Sequence, residues 1–117
     1  MKELSKKDKK ALCELISIGM KVEFQRGMNQ LKEVMMQWDG KLENAQESYY
    51  TLFTALKDFD KKIAWRYNRL SDSGYVDLVV IQILDKLLDV SELDALSVEL
   101  KENILRSVEF RKQIGFE

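Results

Sequence analysis

The stretch LENAQESYYTLFTALKDFDKKIAWRYNRL, Leu42 to Leu70, decides the fold. Apolar residues recur in it at Leu42, Ala45, Tyr49, Leu52, Leu56, Phe59 and Ile63, with gaps that alternate between three and four. Arg66 interrupts the register and Leu70 restores it. Such a rhythm, held over about four heptads, lays one continuous seam along a helix. A seam of that length requires another helix against it.

Upstream, Asp39-Gly40 marks a helix end, because glycine accepts the positive φ of a C-terminal cap without strain. The helix before it is expected to start near Ser5, where Ser5 to Asp8 spells a weak capping box. Leu12, Leu15, Ile16, Gly19 and Met20 supply its first apolar face, and Phe24, Met28, Leu31, Met35 and Trp38 the second. The two stripes are out of register, so the buried face is expected to rotate near Val22, with Gly19 and Gly27 allowing a kink or a close helix approach. The spacing predicts helices over about 6–37 and 41–70, joined by a turn so short that they form an antiparallel hairpin.

Downstream, Ser71-Asp72-Ser73-Gly74 reads as the second break. Val76 to Leu84 is short and β-branched enough for a buried strand, yet no second strand exists to pair with it. On a helix, Val76, Val79, Val80, Ile83, Leu84, Leu87 and Val90 take one half, and Asp77, Gln82, Asp85, Lys86 and Asp89 the other. A deeply buried helix is therefore expected over about 74–90. Ser91 to Asp94 opens a short turn or helix. Ser97 caps a last helix over about 97–114, with Val98, Leu100, Ile104, Leu105 and Val108 on its apolar side. The sum is a single all-α domain, a helical bundle built on a long antiparallel hairpin with a shorter helical pair packed against it.

Composition bounds the rest. At 117 residues, with 45% apolar and 33% charged residues and no proline, the chain suits one soluble globular domain. Residues 1–71 hold 14 Lys/Arg against 10 Asp/Glu, and residues 72–117 hold 5 against 10. This asymmetry reads as a partner site or, more plainly, as two halves that attract at long range. A lone cysteine, no apolar leader and no long apolar run predict a cytoplasmic protein with no membrane span.

The chemistry that is missing argues against an enzyme. There is no histidine, hence no imidazole base, nucleophile partner or transition-metal ligand. No nucleotide-binding or nucleophile-elbow motif occurs. Glu43 with Glu47, and Asp85 with Asp89, would suit Mg²⁺ or Mn²⁺ if the pairs faced one another, but Glu43 and Glu47 lie off the seam. No metal or cofactor is expected. Cys13, between Leu12 and Leu15, reads as a small buried hydrophobe. Met20, Met28, Met35 and Met36 read as core filling or, where exposed, as a groove for a partner helix.

The sharpest surface feature follows Tyr50. Lys57, Lys61, Lys62, Arg66 and Arg69 interleave with Trp65 and Tyr67. Tyr50, Lys57, Lys61, Lys62, Trp65, Arg66 and Arg69 are the candidate interaction residues. Trp65 is expected to be covered by a later helix or by a second subunit, and Arg66 to reach a buried carboxylate such as Asp77 or Asp85. The first functional expectation is a non-catalytic interaction or assembly module, a homodimer. The alternative is a nucleic-acid accessory protein whose basic groups answer phosphates while its aromatics stack on bases.

Overall fold

The computed structural model describes residues 4–68 and 72–115, and the side chain of every one of these but Asp72. Every regular element in it is helical: α1 (Lys6–Met36), α2 (Ala45–Arg66), α3 (Asp72–Leu84) and α4 (Val98–Gln113), with short 3₁₀ helices at Leu42–Asn44 and Val90–Ala95. Helices pack on helices, so the chain is an all-α bundle. Its contacts group it into two compact units, one made of residues up to Val22 together with Arg69 onward, the other of Glu23–Asn68. The α1 helix contributes to both.

In the first unit, α3 and α4 pack with the N-terminal part of α1. Leu12, Leu15 and Ile16 of α1 meet Leu78, Val79, Val80 and Ile83 of α3 and Leu100, Ile104 and Val108 of α4 in one buried core. The α3 helix stops at Leu84, short of the predicted end near residue 90. Lys86 takes a left-handed conformation, φ +60°, and the amides of Leu87 and Leu88 both donate to the carbonyl of Gln82. That turn carries Leu87 and Leu88 into the core, where a continued helix would have aimed part of the run outward.

Gln82 corrects the sequence expectation. It was assigned to the polar half of its helix, yet it is fully buried, with its amide donating to the carbonyl of Ile16 at 3.0 Å. Gly19 is what admits it: a Cβ there would lie 2.5 Å from the Gln82 Nε2. Val98, expected on the apolar side of the last helix, is exposed because it stands directly after the cap. Cys13, expected to be buried, is also exposed.

Polar caps close this unit. The Asp8 amide donates to the Ser5 hydroxyl at 3.0 Å, which is half of the predicted capping box. The Asp8 carboxylate accepts instead from the amide and hydroxyl of Ser97, at 2.9 and 2.7 Å, while Ser97 caps α4 by accepting from Leu100. A charge-assisted pair of this kind is worth about 1.5–3 kcal/mol. Asp8→Ala should therefore lower unfolding stability by about 2 kcal/mol in a urea titration, and Asp8→Asn by less, since its carbonyl oxygen still accepts one bond. Arg111 of α4 pairs with Asp77 of α3, and Lys101 with Asp94. Asp89 caps the 3₁₀ helix by accepting from Ser91, whose hydroxyl and amide hold its carboxyl below the usual carboxylate range. That contribution is present above the ordinary Asp pKa and is lost as pH falls through the lowered value.

The second unit is a two-helix hairpin, the C-terminal part of α1 against α2. Its turn is a 3₁₀ pivot: Gly40 has φ +80°, the Asp39 carboxylate accepts from the Lys41 amide and the Asn44 side chain, and the Trp38 indole donates to the Lys41 carbonyl. The α2 helix thus begins at Ala45, four residues after the predicted start, and Leu42 stands on the turn. The predicted cap at Ser71, and Arg69 and Leu70, lie outside the described residues.

Candidate protein-interaction surface

Three landmarks set the pairing of α1 with α2. Near one end, the buried Glu23 carboxylate accepts from the Arg66 guanidinium at 2.7 Å and from the Tyr67 hydroxyl at 2.6 Å. One turn further along α1, the Phe59 ring lies where a Gly27 Cβ would stand, 2.2 Å from the ring's Cζ. At the turn, Met35 and Trp38 meet Ala45, Ser48, Tyr49 and Leu52 around an open cleft of about 200 Å³. The residue numbers rise on one helix as they fall on the other, so the pair is antiparallel.

The line each helix turns toward the other is not the predicted one. On α1 it runs through Glu23, Gly27, Leu31 and Val34, and on α2 through Ala45, Ser48, Leu52, Ala55, Phe59, Ile63 and Arg66. Phe24, Met28, Met35 and Trp38, expected on the buried stripe, are exposed. Of the heptad seam, Ala45, Leu52, Phe59 and Ile63 face α1, while Leu42, Tyr49 and Leu56 stay exposed. The cause is the close approach at Gly27. A helix that presents glycine to an aromatic ring brings the backbones together along small residues and swings larger neighbours to the flank.

The flank is one-sided. At 100° per residue, Phe24, Met28 and Met35 lie roughly 60–100° on from the Gly27 line, and Tyr49, Phe53 and Leu56 roughly 40–100° on from the Leu52 line, with Leu42 on the turn before α2. In an antiparallel pair, equal offsets in the same sense fall on the same side. The hairpin therefore gathers six large apolar side chains on one face, with Met28 66%, Met35 62% and Tyr49 60% exposed and Phe24, Phe53 and Leu56 each near half, and its turn adds Leu42, 90% exposed. Tyr49 stacks on Phe53, Phe24 meets Phe59 edge to face, and the Lys57 ammonium sits 5.7 Å from the Phe53 ring centroid. Conversely, every fully buried apolar side chain among the described residues belongs to the other unit.

The candidate residues chosen from sequence do not share one surface. Tyr50, Lys57, Lys61 and Trp65 share one outward stripe of α2, on the side away from α1, and Trp65 is 76% exposed within the chain. Arg66 does not belong to that stripe. It turns inward and meets a buried carboxylate, as expected, and that carboxylate is Glu23. Lys62 is exposed on the opposite flank, and Arg69 lies outside the described residues. The apolar face was missed as a surface because periodicity ranks residues by hydropathy, and Phe24 and Met28 outrank Gly27. The line Gly19, Glu23, Gly27, at steps of four, was the available signal for a close contact.

Among the described residues no three His, Cys, Asp or Glu side chains gather as a metal site, and no helix is long and apolar enough to cross a membrane. Compared with protein-family models, with curated proteins and with solved structures, the chain matches none.

Proposed function

We propose that the protein acts by association, as a small non-catalytic assembly module, and that the apolar face of its hairpin closes on the same face of a second copy. One observation carries this reading: the hairpin unit fully buries no apolar side chain, yet collects six large ones on a single side and a seventh, Leu42, on its turn. Taking ~200 Å² for a large exposed side chain, that face amounts to roughly 800 Å². The largest apolar patch on an ordinary monomer is about 300–600 Å². A standard interface takes about 800 Å² from each partner. Charge supports a second copy as the occupant. Residues 23–68 hold seven Lys/Arg and seven Asp/Glu, so two hairpins meet without net repulsion. The aromatic and methionine content is that of interface cores.

Light scattering after size exclusion tests it. The expected mass is about twice 13.7 kDa, unchanged at high salt because the contact is apolar. Leu56→Asp should weaken dimerisation at least about tenfold, ~1.4 kcal/mol, by burying a charge at the contact. A monomer at every concentration refutes the proposal.

The exposed stripe of Tyr50, Lys57, Lys61 and Trp65 favours a second reading, single-stranded nucleic acid held by phosphate contacts and stacking. It predicts binding of an oligonucleotide that weakens steeply with salt, and that weakens further in Lys61→Glu. Salt-insensitive binding, or none, removes it.

A further inference from the structure

Resting on the dimer reading, the geometry points to how the two copies meet: we propose that they lie with their hairpin turns at the same end, and that Leu42 of each enters the cleft beside Trp38 of the other. A two-fold axis parallel to the hairpin brings the two apolar faces together so that α2 of one copy lies on α1 of the other, and every neighbouring pair of helices is antiparallel. In that arrangement residues at one height along the hairpin meet across the axis. Leu42 then stands level with the other copy's turn end, where Met35 and Trp38 form one wall of the cleft. The alternative two-fold, across the hairpin, would send Leu42 to the end near Phe24 instead.

Three features favour the first arrangement. Leu42 is the most exposed large apolar residue in the described chain, and its own cleft leaves it outside. The cleft is lined almost wholly by apolar surface, from Met35, Trp38, Ala45, Ser48, Tyr49 and Leu52, and at about 200 Å³ it has room for an aliphatic side chain. Its wall is also preset: the Trp38 indole donates to the Lys41 carbonyl at 3.1 Å, which fixes the ring without needing a partner. Because the contact is isologous, each copy supplies one knob and one hole, so a single substitution removes two contacts.

The experiment uses the full chain in two forms. Sedimentation equilibrium compares wild type with Leu42→Ala and Leu42→Lys, which fold because residue 42 is exposed. In parallel, Lys41→Cys on a Cys13→Ser background is treated with a short bis-maleimide. The expected result is a dimer weakened about tenfold by Leu42→Ala and more by Leu42→Lys, with efficient cross-linking through residue 41. In the alternative arrangement the two turns stand at opposite ends of helices about 33 Å long, beyond the reagent's reach. A wild-type dimer that tolerates Leu42→Lys and does not cross-link overturns this arrangement while leaving the shared face intact. A wild-type monomer overturns both.

Discussion

Glu23→Leu is expected to lower stability by about 3 kcal/mol, the lower end of the 3–5 kcal/mol seen when one member of a buried ion pair is removed. The reason lies in what remains. Arg66 and Tyr67 both donate to this carboxylate in a nearly water-free position, and leucine would take from a guanidinium and a phenol the acceptor they share. Few apolar contacts inside the hairpin offset that loss. A urea titration followed by circular dichroism measures it. The double variant Glu23→Leu/Arg66→Met removes both charges, and it should recover most of the loss, because a buried pair replaced by apolar groups of similar size is often close to neutral. If the single variant loses less than about 1 kcal/mol, the pair is not the hairpin's fastening.

Leu12→Ala should cost as much through a different mechanism. Leu12 is fully buried in the core shared by α1, α3 and α4. Removing three carbons forfeits their transfer free energy and leaves a cavity, about 2–5 kcal/mol for buried leucines. At about 3 kcal/mol, the melting temperature of a chain this size should fall by roughly 10 °C. Leu42→Ala, the same chemical change at an exposed site, should leave the monomer's stability within about 0.5 kcal/mol. That contrast separates core from surface leucine on one chain.

The helices were legible because nothing in the chain competes with a 3.6-residue period: there is no proline, and Gly40 stands in the turn it signalled, whereas Gly74, read as a turn residue, lies within the first turn of α3. The Ser97 cap and the buried stripe of Leu100, Ile104 and Val108 were legible for the same local reason. What was not legible is which line within a broad apolar band another helix would take. Around the hairpin the band is wide enough for two solutions, and a glycine opposite a phenylalanine selected the narrow one. Gln82 was misassigned for a related reason: its polarity placed it outside, while the space left by Gly19 and an acceptor on Ile16 placed it inside. Both are facts about pairs of residues far apart in the chain, and periodicity along one helix carries no information about them. The sequence did mark Arg66 as anomalous in its seam; only the identity of its partner required the fold.

The division of the chain also bears on the order in which it can be made. The hairpin unit is contiguous, Glu23–Asn68, whereas the other unit is assembled from the two ends of the sequence. Its polar clasp, Asp8 to Ser97, spans 89 residues. Chain leaving a ribosome therefore exposes everything the hairpin needs while α3 and α4 are still being synthesised. Contacts of short span form first because they close small loops. The early product is then a hairpin with one greasy side and no core of its own, next to a length of α1 whose partners do not yet exist. If the proposed pairing holds, a neighbouring nascent chain on the same message is the first copy able to cover that side.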